Sequence, residues 1–296
     1  MTRFHGVFSP ICTPFTPDGE LVDEVKIGPL VDFQLGNGIH GIISCGGTGE
    51  FTTLTVDERK RVTELTIEAV NGRAPVVPHT GACSTQEVID LSRHAERAGA
   101  DALMIVPPYY APPTPDEIVR HYSMIADAVS LPIMVYNIPQ ESNVNFDTGL
   151  LSRLAEIDSV TMLKDSTGNM VQLQEIITEL GDQLIIFNGA DTLFYPSLVM
   201  GAQGAVWGGA NPTPRACVEL YELVVEQHDF IAAGELWAKL YPINRFYETE
   251  GFTASVKAAS RLVGMDIGGP RAPFNPLSDA KVDELRSLLE PIGVLA

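Results

Sequence analysis

The sequence has few cysteines, and they lie far apart. Cys12, Cys45, Cys83 and Cys217 form no CxxC pair and no cluster with histidine at the spacing of a zinc site. We therefore expect reduced thiols in the core of a cytoplasmic protein. Neither a disulfide framework nor a metal site is expected.

Long apolar runs are also missing. No stretch reaches the roughly 18 apolar residues that a membrane-spanning helix requires. The N-terminal residues lack the apolar central region of a signal peptide. The sequence thus predicts no membrane partner.

Basic residues are scarce. The 296 residues include 19 Lys and Arg against 38 Asp and Glu, which gives a formal net charge of −19. A nucleic-acid-binding protein needs a basic face, so this class is disfavoured. The same charge repels anions at long range, and a site for an anionic substrate must therefore use local donors such as backbone amides.

Short apolar runs alternate with amphipathic helical patterns along most of the chain. Eight runs, each followed by a helix, predict parallel strands with right-handed crossovers, and eight strands close a (β/α)8 TIM barrel. A doubly wound open sheet is the alternative, but no GxGxxG motif opens it. The runs start at Gly6, Gly41, Pro75, Ala102, Pro132, Val160, Leu184 and Gly204.

Helical patterns alone follow after about residue 212. They cover residues 214–227, 230–247, 253–263 and 278–289. This is more helix than barrel closure needs. We therefore predict a barrel that carries the active site over residues 1–225 and a C-terminal helical extension, residues 226–296, packed on it.

Polar residues follow several predicted strands at the point where each strand ends. The clusters are "CGGTGE" from Cys45, "YNIP" from Tyr136, "KD" from Lys164 and "NGAD" from Asn188. The carboxyl ends of parallel strands meet at one end of a barrel, where TIM-barrel enzymes place their active sites. The pattern therefore predicts an enzyme with its site at this end.

Lys164 ends the apolar strand "VTMLKD", although lysine is among the residues least often buried. An amine among apolar neighbours loses the hydration that favours its charged form. A neutral amine attacks ketones and forms a Schiff base, whose iminium draws electrons from the adjacent bond. Tyr136 is the natural proton relay. The simple alternatives are a lysine paired with Asp165 and a tyrosine of the core.

The turn "GGTGE" lies between the second strand and its helix. Its amides can hold a carboxylate, and the hydroxyl of Thr48 adds a donor. The simple alternative is a plain turn between a strand and a helix.

Five motifs together give a family resemblance. The sequence resembles the dihydrodipicolinate synthase and N-acetylneuraminate lyase family of class I aldolases. The resemblance implies a (β/α)8 barrel, a 2-keto acid substrate of the pyruvate type, a homotetramer built from two dimers, and no cofactor. The motifs are "GGTGEFTTLTVDER" from Gly46, "PPYY" from Pro107, "YNIP" from Tyr136, "LKDSTGN" from Leu163 and "NGAD" from Asn188.

The resemblance also implies roles for single residues. Lys164 would form the Schiff base, and Tyr136 would relay protons. Thr48 and the amide of Gly47 would hold the carboxylate of the keto acid. The resemblance further implies that a dimer partner lends Tyr110 to the site, and that the carbonyl of Val206 lies near the keto acid.

Three departures bear on the substrate. Gly47 stands where many members carry Thr or Ser, whose hydroxyl links two tyrosines in a proton relay. Glu141 stands where lysine-pathway synthases carry the arginine of "YNVPxRTG", which binds the carboxylate of the second substrate. Two like charges 4 Å apart cost roughly 4 kcal/mol at an effective dielectric of 20. Thr192, after Asp191, replaces the glutamate of sialic acid lyases.

We therefore expect aldol cleavage of a 2-keto-3-deoxy sugar acid to pyruvate and an aldehyde. Gln140, Glu141 and Asp191 would bind substrate hydroxyls. Dehydration of the same compounds is an alternative, because "GGTGEF" resembles a dehydratase branch that lacks "YNIP". Dihydrodipicolinate synthase, disfavoured by Glu141, and N-acetylneuraminate lyase are further alternatives. A catalytically silent keto-acid sensor is the alternative of another class.

Overall fold

The computed structural model describes residues 4–296 and shows a barrel of parallel strands. Seven regular strands run in the order β2-β1-β7-β6-β5-β4-β3, and every pairing is parallel. They are β1 (Gly6–Pro10), β2 (Gly41–Ile43), β3 (Leu103–Ile105), β4 (Ile133–Asn137), β5 (Val160–Asp165), β6 (Ile185–Asn188) and β7 (Gly204–Val206).

The third predicted strand closes the gap between β2 and β3. Residues 75–80 make only isolated bridges, from Val76 to β2 and from His79 to β3. Pro75 and Pro78 have no backbone N–H to donate, which interrupts the ladder. The prediction of a regular third strand is therefore wrong, although its place in the barrel is confirmed.

Helices surround the barrel. The predicted helix over residues 214–227 ends as an α-helix at Tyr221 and continues as a π-helical turn, Glu222–Glu226. The helices are α1 (Ile27–Gly36), α2 (Val56–Val70), α3 (Thr85–Ala98), α4 (Pro115–Ala126), α5 (Pro139–Ser142), α6 (Thr148–Ala155), α7 (Met170–Leu180), α8 (Phe194–Val199), α9 (Pro214–Tyr221), α10 (Phe230–Glu250), α11 (Phe252–Leu262) and α12 (Asp279–Leu289).

Inward-facing side chains fill the barrel with an apolar cluster. Alternate residues of a strand point to opposite faces, so Met162 and Lys164 of β5 share the inner face. This places the catalytic candidates directly above the packed interior. The cluster includes Phe8, Ile43, Val77, Met104, Met134, Tyr136, Met162, Phe187 and Val206.

The C-terminal helices α10, α11 and α12 pack on the barrel through one apolar cluster that contains residues of both parts, among them Phe194, Trp207, Tyr247 and Leu285. The predicted extension therefore lies against the barrel, and its boundary at residue 226 stays a prediction. Among residues 4–296, no helix is both long and apolar enough to cross a membrane.

The four cysteines are free thiols. Cys12, Cys45 and Cys217 are buried, and burial raises the pKa of Cys12 to about 12 and that of Cys45 to about 11. Cys83 is exposed, so the expectation of a core position is wrong for this residue.

Candidate active site

The parallel pairing of β4 and β5 brings the two central candidates together. Tyr136 and Lys164 are register partners, and both are buried. The Nζ atom of Lys164 lies 3.9 Å from the centroid of the Tyr136 ring. The predicted nucleophile and proton relay are therefore neighbours at the carboxyl ends of adjacent strands.

Asp165 does not pair with Lys164. Its carboxylate accepts hydrogen bonds from Asn137 Nδ2 at 3.1 Å and Thr167 Oγ1 at 2.8 Å. Burial raises the pKa of Asp165 to about 6 in spite of these two bonds. Within residues 4–296, the amine of Lys164 makes no hydrogen bond or ion pair, so it is available to a substrate.

Gly189 makes room for the lysine side chain. A Cβ atom at this position would lie 2.6 Å from Cε of Lys164 and would also collide with Ser166 Oγ. The glycine of "NGAD" is thus needed where the chain passes the nucleophile. A long-range contact of this kind gives no signal in the sequence.

His79 lies beside the pair, and the sequence assigned it no role. Its ring centroid is 6.4 Å from that of Tyr136. The Nδ1–H group donates to the carbonyl of Cys45 at 3.0 Å, while Nε2 has no partner within the described chain. Burial, followed by the charges of Arg59 and Lys164, holds the pKa of His79 well below its usual value. The site therefore contains a neutral imidazole.

The "GGTGE" turn meets the turn that follows β7. Thr48 is half-buried and Gly47 is exposed. A Cβ atom on Gly208 would lie 3.4 Å from Thr48 Oγ1 and 2.6 Å from the Phe252 ring. Val206 ends β7 two residues earlier and is buried. The groups expected around the keto acid thus occupy the same end of the barrel.

Asp191 is engaged by the backbone. Its two oxygens accept hydrogen bonds from the amides of Gly208 at 3.2 Å and Gly209 at 2.8 Å. Burial raises its pKa to about 7, against the effect of these amides and of the Lys164 charge. The carboxylate therefore holds the turn beside Thr48, whereas we expected it to be free for substrate hydroxyls.

The other predicted residues are exposed. Gln140 and Glu141 lie on α5, directly after β4, and Gln140 Nε2 donates to the carbonyls of Ser166 and Thr167, each at 3.1 Å. Glu141 forms no ion pair within residues 4–296. Tyr110 is 90% exposed, and its side chain makes no hydrogen bond within the described chain.

Metal-binding side chains do not gather here. In the described part of the chain, no group of three His, Cys, Asp or Glu side chains could hold a metal ion. The chemistry available from these residues is that of an amine, a phenol, an imidazole, and carboxylate-binding amides and hydroxyls.

Known proteins show similarity over the whole chain. The profile of the dihydrodipicolinate synthetase family matches residues 3–292. A protein of Syntrophobacter fumaroxidans, named 4-hydroxy-tetrahydrodipicolinate synthase, is 39% identical over 295 residues, which cover 99% of this chain and 100% of that protein.

Solved structures show the same fold. The dihydrodipicolinate synthase of Aquifex aeolicus aligns with a TM-score of 0.93 and 32% identity, over 99% of each chain. The chloride-inhibited dihydrodipicolinate synthase of Acinetobacter baumannii, complexed with pyruvate, aligns with a TM-score of 0.94 and 32% identity, over 98% of this chain and 99% of that one.

Asp191 predicts a pH dependence of stability. Its pKa is raised from 3.8 to about 7, so the folded protein binds a proton in this window that the unfolded chain does not. Proton binding by Asp191 therefore adds to the free energy of unfolding. This contribution is fully present below pH 3.8 and is lost as the pH rises through 7. Relative to Asp191→Asn, the wild type should lose about 1.4 kcal/mol per pH unit within the window. Thermal unfolding of both proteins between pH 5 and 8 measures this.

Asp18→Asn is the matched control. Asp18 is exposed, and the hydroxyl of Thr16 lowers its pKa, so this variant should follow the wild type between pH 5 and 8. A constant difference in stability between wild type and Asp191→Asn over this range would contradict the assignment.

Proposed function

We propose that this chain, which belongs to the dihydrodipicolinate synthetase family of class I aldolase-type lyases, reversibly cleaves a 2-keto-3-deoxy sugar acid to pyruvate and a neutral hydroxyaldehyde. The Schiff-base part of the proposal is supported by Lys164, whose amine lies 3.9 Å from the Tyr136 ring without a polar partner in residues 4–296. The choice of substrate depends on the groups that surround this pair.

Each step has a group in place. The amine of Lys164 adds to the keto carbon, and loss of water leaves an iminium. Tyr136 relays the proton from the C4 hydroxyl as the C3–C4 bond breaks, and the bond's electrons move into the iminium to give an enamine. Protonation of the enamine at C3 and hydrolysis release pyruvate. Thr48 and the Gly47 amide hold the carboxylate, and the Val206 carbonyl lies near the keto-acid end.

Glu141 is the observation that carries the substrate class. It is exposed on α5, directly beyond the strand that carries Tyr136, and it has no cationic partner in the described chain. Solvent screens part of its repulsion, but a carboxylate here still disfavours an anionic aldehyde and accepts hydroxyl hydrogen bonds. Gln140 adds its amide oxygen, because only its NH2 group is engaged.

The names of the relatives favour a second candidate. Proteins 38–39% identical to this chain are named 4-hydroxy-tetrahydrodipicolinate synthase, which points to condensation of pyruvate with aspartate semialdehyde.

Dehydration of a keto-deoxy sugar acid and cleavage of N-acetylneuraminate use the same enzyme-bound iminium. Gly47 supplies no hydroxyl for a relay between tyrosines, which is what motivates the alternative of a silent sensor.

A product analysis separates these candidates. We expect NMR of a panel of 2-keto-3-deoxy sugar acids to show pyruvate and an aldehyde for at least one member. An unbroken carbon chain with one hydroxyl lost would identify a dehydratase. Ligand-dependent stabilisation without any product would identify a sensor.

Glu141→Arg tests the role of the carboxylate in the same assay. It should raise condensation with aspartate semialdehyde and lower cleavage of the sugar acid, whereas Glu156→Arg makes the same charge change on an exposed residue of the outer helix layer and should alter neither. Efficient condensation by the wild type, unchanged in Glu141→Arg, would overturn the substrate proposal.

We also propose a homotetramer of two dimers in which Tyr110 completes the partner's site. The family resemblance supports this, and so does the exposure of Tyr110, at 90%, in its own subunit. In this arrangement, Tyr110 of one subunit would contact the substrate that is bound to Lys164 of the other subunit.

Hybrid oligomers test this arrangement. Lys164→Ala and Tyr110→Ala should each be nearly inactive alone. After mixing and subunit exchange, some sites combine the native Lys164 of one subunit with the native Tyr110 of the other, so activity should recover towards a quarter of the wild-type level. No recovery in mixed oligomers, or a fully active monomer in sedimentation, would contradict the proposal.

A further inference from the structure

Glu50 of the "GGTGEF" motif has no part in the chemistry above, yet it is fully enclosed. Its side chain is 1% exposed, and Oε1 lies 2.7 Å from Nζ of Lys257 in α11. Its other oxygen accepts a hydrogen bond from the backbone N–H of Arg271 at 2.9 Å. The C-terminal segment thus contacts the motif through a buried carboxylate.

Lys257 is equally buried, at 1% exposure of its side chain. Its amine donates to the carbonyl of Gly269 at 2.9 Å and lies 4.1 Å from the centroid of the Phe15 ring. Among residues 4–296, Glu50 carries the only carboxylate within ion-pair distance of this amine. Apolar residues of similar volume often stabilise a core as well as a buried ion pair does, so stability alone does not require charges at this position.

The pair fixes the end of a short, rigid turn. The N–H of Glu50 donates to the carbonyl of Gly47 at 2.9 Å, and Thr13 Oγ1 donates to the carbonyl of Gly49 at 2.6 Å. Thr48 lies between these two fixed points. Glu50 itself has a left-handed φ of 57°, which is unfavourable for a residue with a Cβ atom and needs external contacts to hold it.

We propose that the buried Glu50–Lys257 pair is a positioning device that holds Thr48 against the substrate carboxylate and so links α11 to the active site. The inference rests on the proposed function, in which Thr48 binds that carboxylate. The pair touches no substrate and acts only through the turn. The glutamate of "GGTGEF" therefore serves the geometry of the site and does not favour a dehydratase over an aldolase.

A double-mutant cycle tests this coupling. Reversible enamine formation exchanges the methyl protons of pyruvate for deuterium, so NMR in D2O measures kcat and KM without knowledge of the second substrate. Lys257→Met should lower kcat/KM about 10- to 100-fold, chiefly through KM, as a displaced binding group does. Thr48→Val should cause a similar loss, and the double variant should be no worse than Thr48→Val alone.

Two further variants serve as controls. Glu50→Gln keeps an acceptor for Lys257 and Arg271, so it should lower kcat/KM less than Lys257→Met does. If Lys257→Met does not fold, the double-mutant cycle is measured with Glu50→Gln and Thr48→Val instead. Lys281→Met removes two partly exposed ion pairs of the same C-terminal segment, with Glu250 and Glu284, and should leave exchange unchanged.

The possible results separate the two proposals. Losses that multiply in the double variant, or a folded Lys257→Met with wild-type KM, would overturn the positioning role and leave the Schiff-base chemistry intact. Absence of exchange in the wild type would overturn the proposed function together with this inference.

Discussion

The in-register pairing of β4 with β5 is the constraint on which the site depends. Five residue pairs join the two strands, and the fourth is Tyr136 with Lys164. A slip by one residue would turn Lys164 away from the barrel interior and bring Asp165 inward. The register shifts once, between Ile133 and Met134, and the pairs beyond this point keep one alignment up to Tyr136 with Lys164. The backbone hydrogen bonds between the two strands therefore determine which side chains meet at the site.

The second half of the site is built from turns that distant parts of the chain hold in place. Asp191 secures the amides of Gly208 and Gly209, and Gly208 fits between Thr48 and Phe252. Such anchoring suits a chain with a net charge of −19, in which long-range attraction cannot collect an anionic substrate. A carboxylate must be bound by donors that are already fixed when it arrives.

Much of this arrangement could be predicted from the sequence, because strand ends in a barrel converge. Lys164, Tyr136 and the "GGTGE" turn were expected at one end of the fold, and the structure places them there. The family, the barrel and the lyase class are confirmed. The irregular third strand was also foreseeable, since its prolines at positions 75 and 78 remove two donors from the ladder.

The remaining features arise from contacts between residues far apart in the chain. Nothing in the sequence indicates that the carboxylate of Asp191 accepts hydrogen bonds from the amides of the next turn. Nothing in it indicates that Gly189 lies against Lys164. Lys257 could have been noticed, because a lone lysine among the small and apolar residues of "ASVKAAS" raises the same question as Lys164. Its partner, Glu50, lies 207 positions earlier and only the fold identifies it.

Reductive trapping of the imine tests the central claim most directly. The protein is incubated with pyruvate and borohydride, digested, and mapped by mass spectrometry. The structure predicts one reduced pyruvate adduct, on Lys164, and none in a folded Lys164→Ala variant. An adduct on another lysine such as Lys257, or no adduct with pyruvate or other 2-keto acids, would contradict the account.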